Sequence, residues 1–313
     1  MKILLANPRG FCAGVEMAIR SLELVIERLP APIFVYHEIV HNQHVVSRFQ
    51  KNGVTFVESI QDVPTGATLV FSAHGISPAV RSEARARQLR TIDATCPLVA
   101  KVHTETVRFA KLGYQIILIG HAGHDEVLGT VGEAPERVTL VQDEHEVDSL
   151  DFAQSERLAY LTQTTLSVDE TSRIVNRLRE RYPHIEGPPN DDICYATQNR
   201  QQAVRELASE VEVFLVVGSQ NSSNSKRLCE VARDHGASAY LVDDASNLQL
   251  DWFSPCDTVG LTAGASAPES SVQSVVGWLQ KHYDADVVTR GSGEPFREFP
   301  LPADLLRLES TSN

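Results

Sequence analysis

Short apolar runs rich in β-branched residues alternate with amphipathic stretches along most of the chain. No other feature restricts the fold as much. Residues 33–35, 68–71, 115–119, 213–217 and 258–262 read as strands, and 16–28, 101–112 and 201–211 read as helices between them. A strand buried on both faces is a continuous apolar run, and a helical crossover returns the next strand parallel to the last. The pattern therefore predicts an α/β fold of parallel sheets with helices on both faces. A chain of 313 residues, 42% of them hydrophobic, can bury the core this requires.

Many of these strands run into a loop of Gly, Ser, Thr, Asn or His. In open parallel sheets, ligands bind beyond the carboxyl ends of the strands. The loops fall into three sets of three: 10–14, 37–42 and 72–75; then 94–97, 120–126 and 162–165; then 192–197, 218–224 and 262–266. Each set begins with a cysteine. Cys12 precedes His41 by 29 residues, Cys96 precedes His124 by 28, and Cys194 precedes Ser222 by 28. His74, Thr164 and Ser266 mark the third loop of each set. The order repeats although the sequence does not, which implies three similar α/β/α units, each giving one cysteine and two polar loops to a shared centre. The expected units are 1–92, 93–190 and 191–285, with 286–313 as a C-terminal extension. The Pro- and Gly-containing stretch 183–189 suits the second boundary.

The chain has five cysteines, and an odd number without an export signal argues against a disulfide framework. Cys229 and Cys256 read as small core residues. Cys12, Cys96 and Cys194 each stand just before a predicted helix, where unpaired N–H groups and the helix dipole favour thiolate, the form that binds metal. No C-x-x-C pair is present, so local zinc-ribbon and ferredoxin patterns are absent. Their equivalent positions predict convergence on one metal centre, an iron–sulfur cluster, with Cys₃ zinc as the alternative. Three thiolates on a four-iron cubane leave one iron open, like the open position of a catalytic zinc site.

His41, His74 and His124 lie at strand ends. A lone histidine there is more often structural, but three in corresponding loops point to a site. Ser222, Ser223, Asn224 and Ser266 offer neutral donors that can hold a phosphate group, although such residues are also ordinary turn formers. Glu126, if enclosed, can serve as a proton donor; otherwise it is a solvated residue in the first turn of a helix. Thr164 and Thr165 either bind a substrate hydroxyl or cap the following helix, and Gln163 orients one of them.

At these loops the chain resembles the LytB family of 4-hydroxy-3-methylbut-2-enyl diphosphate reductases. The resemblance rests on ANPRGFCAGV (6–15), FSAHG (71–75), DATCPLV (93–99), GHAGH (120–124), TQTTLSV (162–168), DDICYAT (191–197), GSQNSSNS (218–225) and TAGASAP (262–268). It implies three α/β/α units arranged pseudo-threefold around a central 4Fe-4S cluster held by Cys12, Cys96 and Cys194. It also implies the last step of the non-mevalonate route to isoprenoids. There an allylic alcohol bearing a diphosphate is reductively dehydroxylated to isopentenyl and dimethylallyl diphosphates, its hydroxyl meeting the open iron. By motif match, His41, His74, His124, Ser222, Ser223, Asn224 and Ser266 hold the diphosphate, Thr164 binds the hydroxyl and Glu126 delivers protons, with His124 beside them.

The net charge of −13 speaks against a nucleic-acid-binding face, and no apolar run approaches the roughly 20 residues of a membrane span. The expected compartment is the cytoplasm. No strand–G-x-G-x-x-G–helix fingerprint appears, so electrons are expected from a ferredoxin- or flavodoxin-type protein. Two rival readings stand beside the reductase. One is a non-catalytic metal module binding a phosphorylated ligand, which gives Glu126 and Thr164 no task. The other is a transferase using Cys12 or Cys194 as nucleophile, in which a single cysteine matters.

Overall fold

A computed structural model describes residues 1–153, 155–295 and 297–310. The chain begins β1 (Lys2–Ala6), α1 (Ala13–Arg28), β2 (Ile33–Tyr36), α2 (Gln43–Lys51), β3 (Val54–Val57), β4 (Thr68–Phe71), α3 (Pro78–Ala86) and β5 (Arg90–Asp93). It continues through α4 (Pro97–Lys111), β6 (Gln115–Ile119), α5 (Asp125–Glu133), β7 (Val138–Val141), α6 (Glu144–Asp148), β8 (Leu158–Thr162) and α7 (Val168–Arg181). Then follow α8 (Tyr195–Ala208), β9 (Val213–Val217), α9 (Ser223–Asp234), β10 (Ser238–Val242), β11 (Thr258–Ala263), α10 (Glu269–Tyr283), β12 (Asp286–Arg290) and α11 (Ala303–Ser310).

The strands form three all-parallel sheets with matching orders: β3-β2-β4-β5, β7-β6-β8 and β10-β9-β11-β1-β12. In each, a strand (β2, β6 or β9) lies between the strand that follows it in the chain (β3, β7 or β10) and the one after that (β4, β8 or β11). The next position over belongs to the chain that leads to a cysteine. β5 leads to Cys96 and β1 leads to Cys12. In the second sheet a single parallel bridge, Ala159 with Glu186, takes that place on the way to Cys194. The α/β class and the three parallel sheets agree with the pattern of apolar runs.

The inner strands are dry on both faces, as continuous apolar runs require, whereas the edge strand β12 is exposed along its length. In β9, Val213, Leu215 and Val217 join Ile3 and Leu5 on one face, while Phe214 and Val216 join Leu4 and Ala6 on the other. In β6, Ile117 and Ile119 face α7, while Ile116 and Leu118 meet Val102 and Phe109 of α4. Successive strand residues point to opposite faces, so each of these two sheets is the wall between two clusters. Truncating a fully buried residue such as Phe214 to Ala costs about 3–5 kcal/mol.

The N-terminal strand differs from its sequence-based assignment to a first unit, 1–92. β1 is hydrogen-bonded between β11 and β12, inside the third sheet. Residues 286–290 likewise leave the expected extension to become that sheet's last strand. Parallel pairing is set by partners far along the chain, which local pattern does not encode. Two compact units result. One contains Met1–Val15, His41–Arg48 and Tyr195–Glu298, and with them the third sheet. The other contains Glu16–Val40, Phe49–Cys194 and the chain from residue 299 on, and with them the first two sheets. Among the described residues, no helix is long and apolar enough to cross a membrane.

Candidate active site

The second residue beyond each third-loop strand (β4, β8 and β11) is wired in a corresponding way. The Ala73 N–H donates to Ile39 O (3.1 Å), and Ala73 O accepts from the Cys96 N–H (3.0 Å). The Thr164 N–H donates to Glu126 Oε1 (2.6 Å), and Thr164 O accepts from the Cys194 N–H (3.0 Å). The Ala265 N–H donates to Asn224 Oδ1 (2.7 Å), and Ala265 O accepts from the Cys12 N–H (3.2 Å). Each cysteine is thus pinned to the sheet of the set before it, the third set closing onto Cys12. The wiring also moves the register by one. Thr164 matches Ala73 and Ala265, so Thr165, not Thr164, is the counterpart of His74 and Ser266.

Immediately after each cysteine a helix begins: α1 at Ala13, α4 at Pro97 and α8 at Tyr195. Pro97 suits the first helical position because its missing N–H would have no partner there. None of the five cysteines forms a disulfide. Cys229 is buried in an apolar cluster, and burial pushes its thiol up to about 12, so it is inert. Cys256, read as a core residue, is only partly buried at the edge of an apolar cluster, because it lies in the loop before β11; that burial and the nearby Glu212 carboxylate raise its thiol. Cys12, Cys96 and Cys194 are partly exposed, and each stands immediately before a helix. A set of sulfur donors without histidine suits iron–sulfur or zinc chemistry.

In the second sheet, Glu126 occupies the first turn of α5 yet is only 2% exposed. Oε1 accepts the Thr164 N–H and Oε2 accepts the Thr164 hydroxyl (3.0 Å). Burial pushes its carboxyl up to about 7, against the opposing pull of the two Thr164 hydrogen bonds, and the nearby Asp192 carboxyl adds slightly to the rise. The solvated-Glu alternative does not hold. Nor does Thr164 cap α7: Ser167 does that, accepting from the Glu170 N–H. Gln163 orients Thr165, as one form of the sequence reading expects: its Nε2 donates to Thr165 Oγ1 (2.8 Å) while its Oε1 accepts from the His121 N–H. Burial also raises the carboxyl of Asp192, against Lys101 Nζ at 3.0 Å and the Thr162 N–H.

His124 is the N-cap of α5, its Nδ1 accepting from the Glu126 N–H (3.2 Å), which leaves the proton of the neutral ring on Nε2. Its ring meets that of His74 edge to face at 6.1 Å. His74 Nδ1 lies 3.2 Å from Ser72 Oγ and 3.8 Å from Asp125 Oδ2. Asp125 Oδ1 in turn lies 2.6 Å from His37 Nδ1, and this hydrogen bond raises the His37 pKa. The Asp125–His37 link was missed from sequence. Asp125 stood between two chosen residues, but nothing local marked His37 as its partner.

In the third sheet, Ser222 is 1% exposed and accepts from both Asn224 Nδ2 and Ser225 Oγ, each at 2.9 Å. A Cβ on Gly218 or Gly264 would collide with Ser225 Oγ, so glycine lets the two loops close around this cluster. Ser223 opens α9, presenting helix N–H groups of the kind that bind anions. Ser266 Oγ donates to His41 O (2.9 Å). Ser219, also missed from sequence, donates to Asp243 Oδ1 (2.6 Å) and accepts from the Gln43 N–H. Of the sequence-chosen residues, Cys12, His41, Ser222, Ser223, Asn224 and Ser266 belong to the unit with the third sheet. His74, Cys96, His124, Glu126, Thr164 and Cys194 belong to the other.

Parallel sheets whose carboxyl ends carry helix-heading cysteines, Ser/Asn-rich polar loops and a buried carboxyl define the class: an α/β protein with its polar and titratable groups gathered on the strand-end loops. A family model described as LytB protein matches residues 3–280, and the chain belongs to that family. It is 59% identical over 305 residues to the 4-hydroxy-3-methylbut-2-enyl diphosphate reductase of Rhodopirellula baltica, covering 97% of this chain and 96% of that one. The reductase of Leifsonia xyli is 53% identical, with 97% and 90% covered. Among solved structures, the E-1-hydroxy-2-methyl-but-2-enyl-4-diphosphate reductase of Plasmodium falciparum superposes with a TM-score of 0.96 at 39% identity, over 99% of this chain and 98% of that one. A second reductase structure, described as the terminal enzyme of the non-mevalonate pathway, gives 0.64 at 29% identity, covering 90% and 100%.

Proposed function

We propose that the chain reductively dehydroxylates 4-hydroxy-3-methylbut-2-enyl diphosphate to isopentenyl and dimethylallyl diphosphates in the cytoplasm. Cys12, Cys96 and Cys194 hold a 4Fe-4S cluster in this reading. When bound, the cluster supplies electrons, drawn from a ferredoxin- or flavodoxin-type protein, and an iron without a protein ligand. One observation carries the proposal: Thr164 joins a buried carboxyl to a cysteine, its N–H and hydroxyl on Glu126 and its carbonyl on the Cys194 N–H.

The proton chemistry follows from that junction. Removing the substrate's hydroxyl as water requires a proton at its oxygen. A carboxyl titrating near 7 is divided between donor and acceptor forms at neutral pH, the best compromise for general acid catalysis. Protonated Glu126 donates through Oε2 to Thr164 Oγ1, and the Thr164 hydroxyl passes its own proton to the substrate oxygen. Burial keeps the carboxyl from exchanging freely with water. The diphosphate is held by His41, His74, His124, Ser222, Ser223, Asn224 and Ser266, mostly neutral donors that place little fixed positive charge near the cluster. The non-catalytic metal-module reading gives no reason to bury Glu126, and a single-nucleophile reading gives none for three equivalent cysteines.

Anaerobic purification with iron and sulfide analysis, followed by turnover of the allylic diphosphate with a reduced donor, tests the proposal. About four irons and four sulfides per chain and formation of both products are expected. Stoichiometric zinc without sulfide, or a loaded protein inert towards this substrate, would overturn it.

A further inference from the structure

We propose that Arg200 is a positioning residue for Cys12, and that the chain beyond residue 285 completes this support through Glu294. The proposal rests on the reading of Cys12 as a cluster ligand.

Arg200 is 1% exposed, the largest side chain among the fully buried ones. It sits in α8, and its guanidinium is spent on main-chain carbonyls of the cysteine loop. Nε and Nη2 donate to Gly10 O (3.1 and 2.7 Å), and Nη2 also donates to Phe11 O (3.3 Å). Nη1 donates to Ala196 O (2.9 Å) and to Glu294 Oε1 (3.0 Å). The two residues before Cys12 therefore present their carbonyls to one buried cation. Gly10 has φ +66°, a left-handed conformation disfavoured for other residues.

A buried cation needs a counter-charge, and Glu294 provides it. Asn199 Nδ2 holds the other carboxylate oxygen at 3.0 Å. The approach of Glu294 is prepared by β12. Its Arg290 carbonyl accepts the Asn7 N–H, and Gly291 and Gly293 pass so close to Asn7 that a Cβ would not fit at Gly291. Further on, Arg297 lies over the Tyr195 ring at 4.3 Å, one residue after Cys194. The extension thus straps the cysteine-bearing end of its own sheet, a role its sequence does not announce.

Partners of this kind commonly change metal retention by about 10–100-fold. R200Q and E294Q are each expected to release iron to a chelator about tenfold faster than wild type, with R200K in between. The midpoint potential separates positioning from general loosening, because charge makes the two variants move apart. Removing the cation disfavours the more negative reduced state and lowers the potential, whereas removing the carboxylate raises it. Both readouts are taken on anaerobically reconstituted full-length protein. If R200Q fails to fold, E294Q carries the test, since it leaves every Arg200–carbonyl bond available. Wild-type iron release in E294Q, or shifts of the same sign in both variants, would overturn the proposal. Wild-type protein without iron and sulfide would instead overturn the reading of Cys12.

Discussion

The second and third sheets use the same wiring with different chemistry. In both, a side chain from the start of a helix reaches the N–H of the residue whose carbonyl holds a cysteine. In the second sheet it is Glu126 on Thr164, and in the third Asn224 on Ala265. Glu126 is a carboxyl that burial tunes to about 7. Asn224 is an amide that cannot titrate, and its Nδ2 is spent on Ser222. The main-chain bond is therefore structural and shared, while the charge state of the bridging side chain sets the task. One junction can move protons; the other can only present hydrogen bonds.

The largest effect should come from making the two junctions alike. E126Q keeps the acceptor for the Thr164 N–H but has no proton to give. Loss of turnover by about 10²–10⁴-fold is expected with substrate affinity and iron content retained, as steady-state rates and calorimetry would report. Wild-type turnover in E126Q would remove the distinction between the sheets.

The next effect is thermodynamic. Between pH 4.5 and about 7 the folded protein keeps the Glu126 proton while the unfolded chain has lost it. This contribution to stability is fully present below pH 4.5 and is lost as pH rises through about 7, a change of about 3 kcal/mol. Denaturant unfolding across this range should show that slope in wild type and lose it in E126Q. Asn224 has no such slope to lose.

The reverse exchange, N224D, keeps the acceptor for Ala265 but gives up the donor to Ser222 and adds negative charge at the loop proposed to hold the diphosphate. KM for the diphosphate should rise about tenfold with kcat less affected. An unchanged KM would mean that the third-sheet loop does not hold the diphosphate. The smallest effect concerns Asp125. Its hydrogen bond raises the His37 pKa, so the stabilisation is present below pH 6.5 and lost as pH rises through the folded value. D125N should lower stability by about 1 kcal/mol near pH 6 and by less at pH 9.

How much of this was legible follows from how local each feature is. Strands 68–71, 115–119 and 213–217 coincide with the structure because unbroken apolar runs define buried parallel strands. The helices after Cys96 and Cys194 start four to six residues earlier than their apolar periodicity alone suggests, since their first turns carry no apolar repeat; at α4 the signal is Pro97 at the first helical position. The cysteines and loop residues were visible through their repetition. The pairing of β1 with β11, the clasp of Glu294 on Arg200 and the partnership of His37 with Asp125 were not, since each joins residues far apart in sequence. The shift from Thr164 to Thr165 as the counterpart of His74 was hidden too. Only main-chain hydrogen bonds fix that register.

The central claim is that Glu126 exchanges its proton near neutral pH while Asn224 stands neutral in the equivalent place. Infrared difference spectroscopy of wild type against E126Q, across pH 5 to 9, measures this directly. The expected result is a buried, protonated-carboxyl band that is absent from E126Q and titrates with a midpoint near 7. A Glu126 already ionised at pH 5 would contradict it.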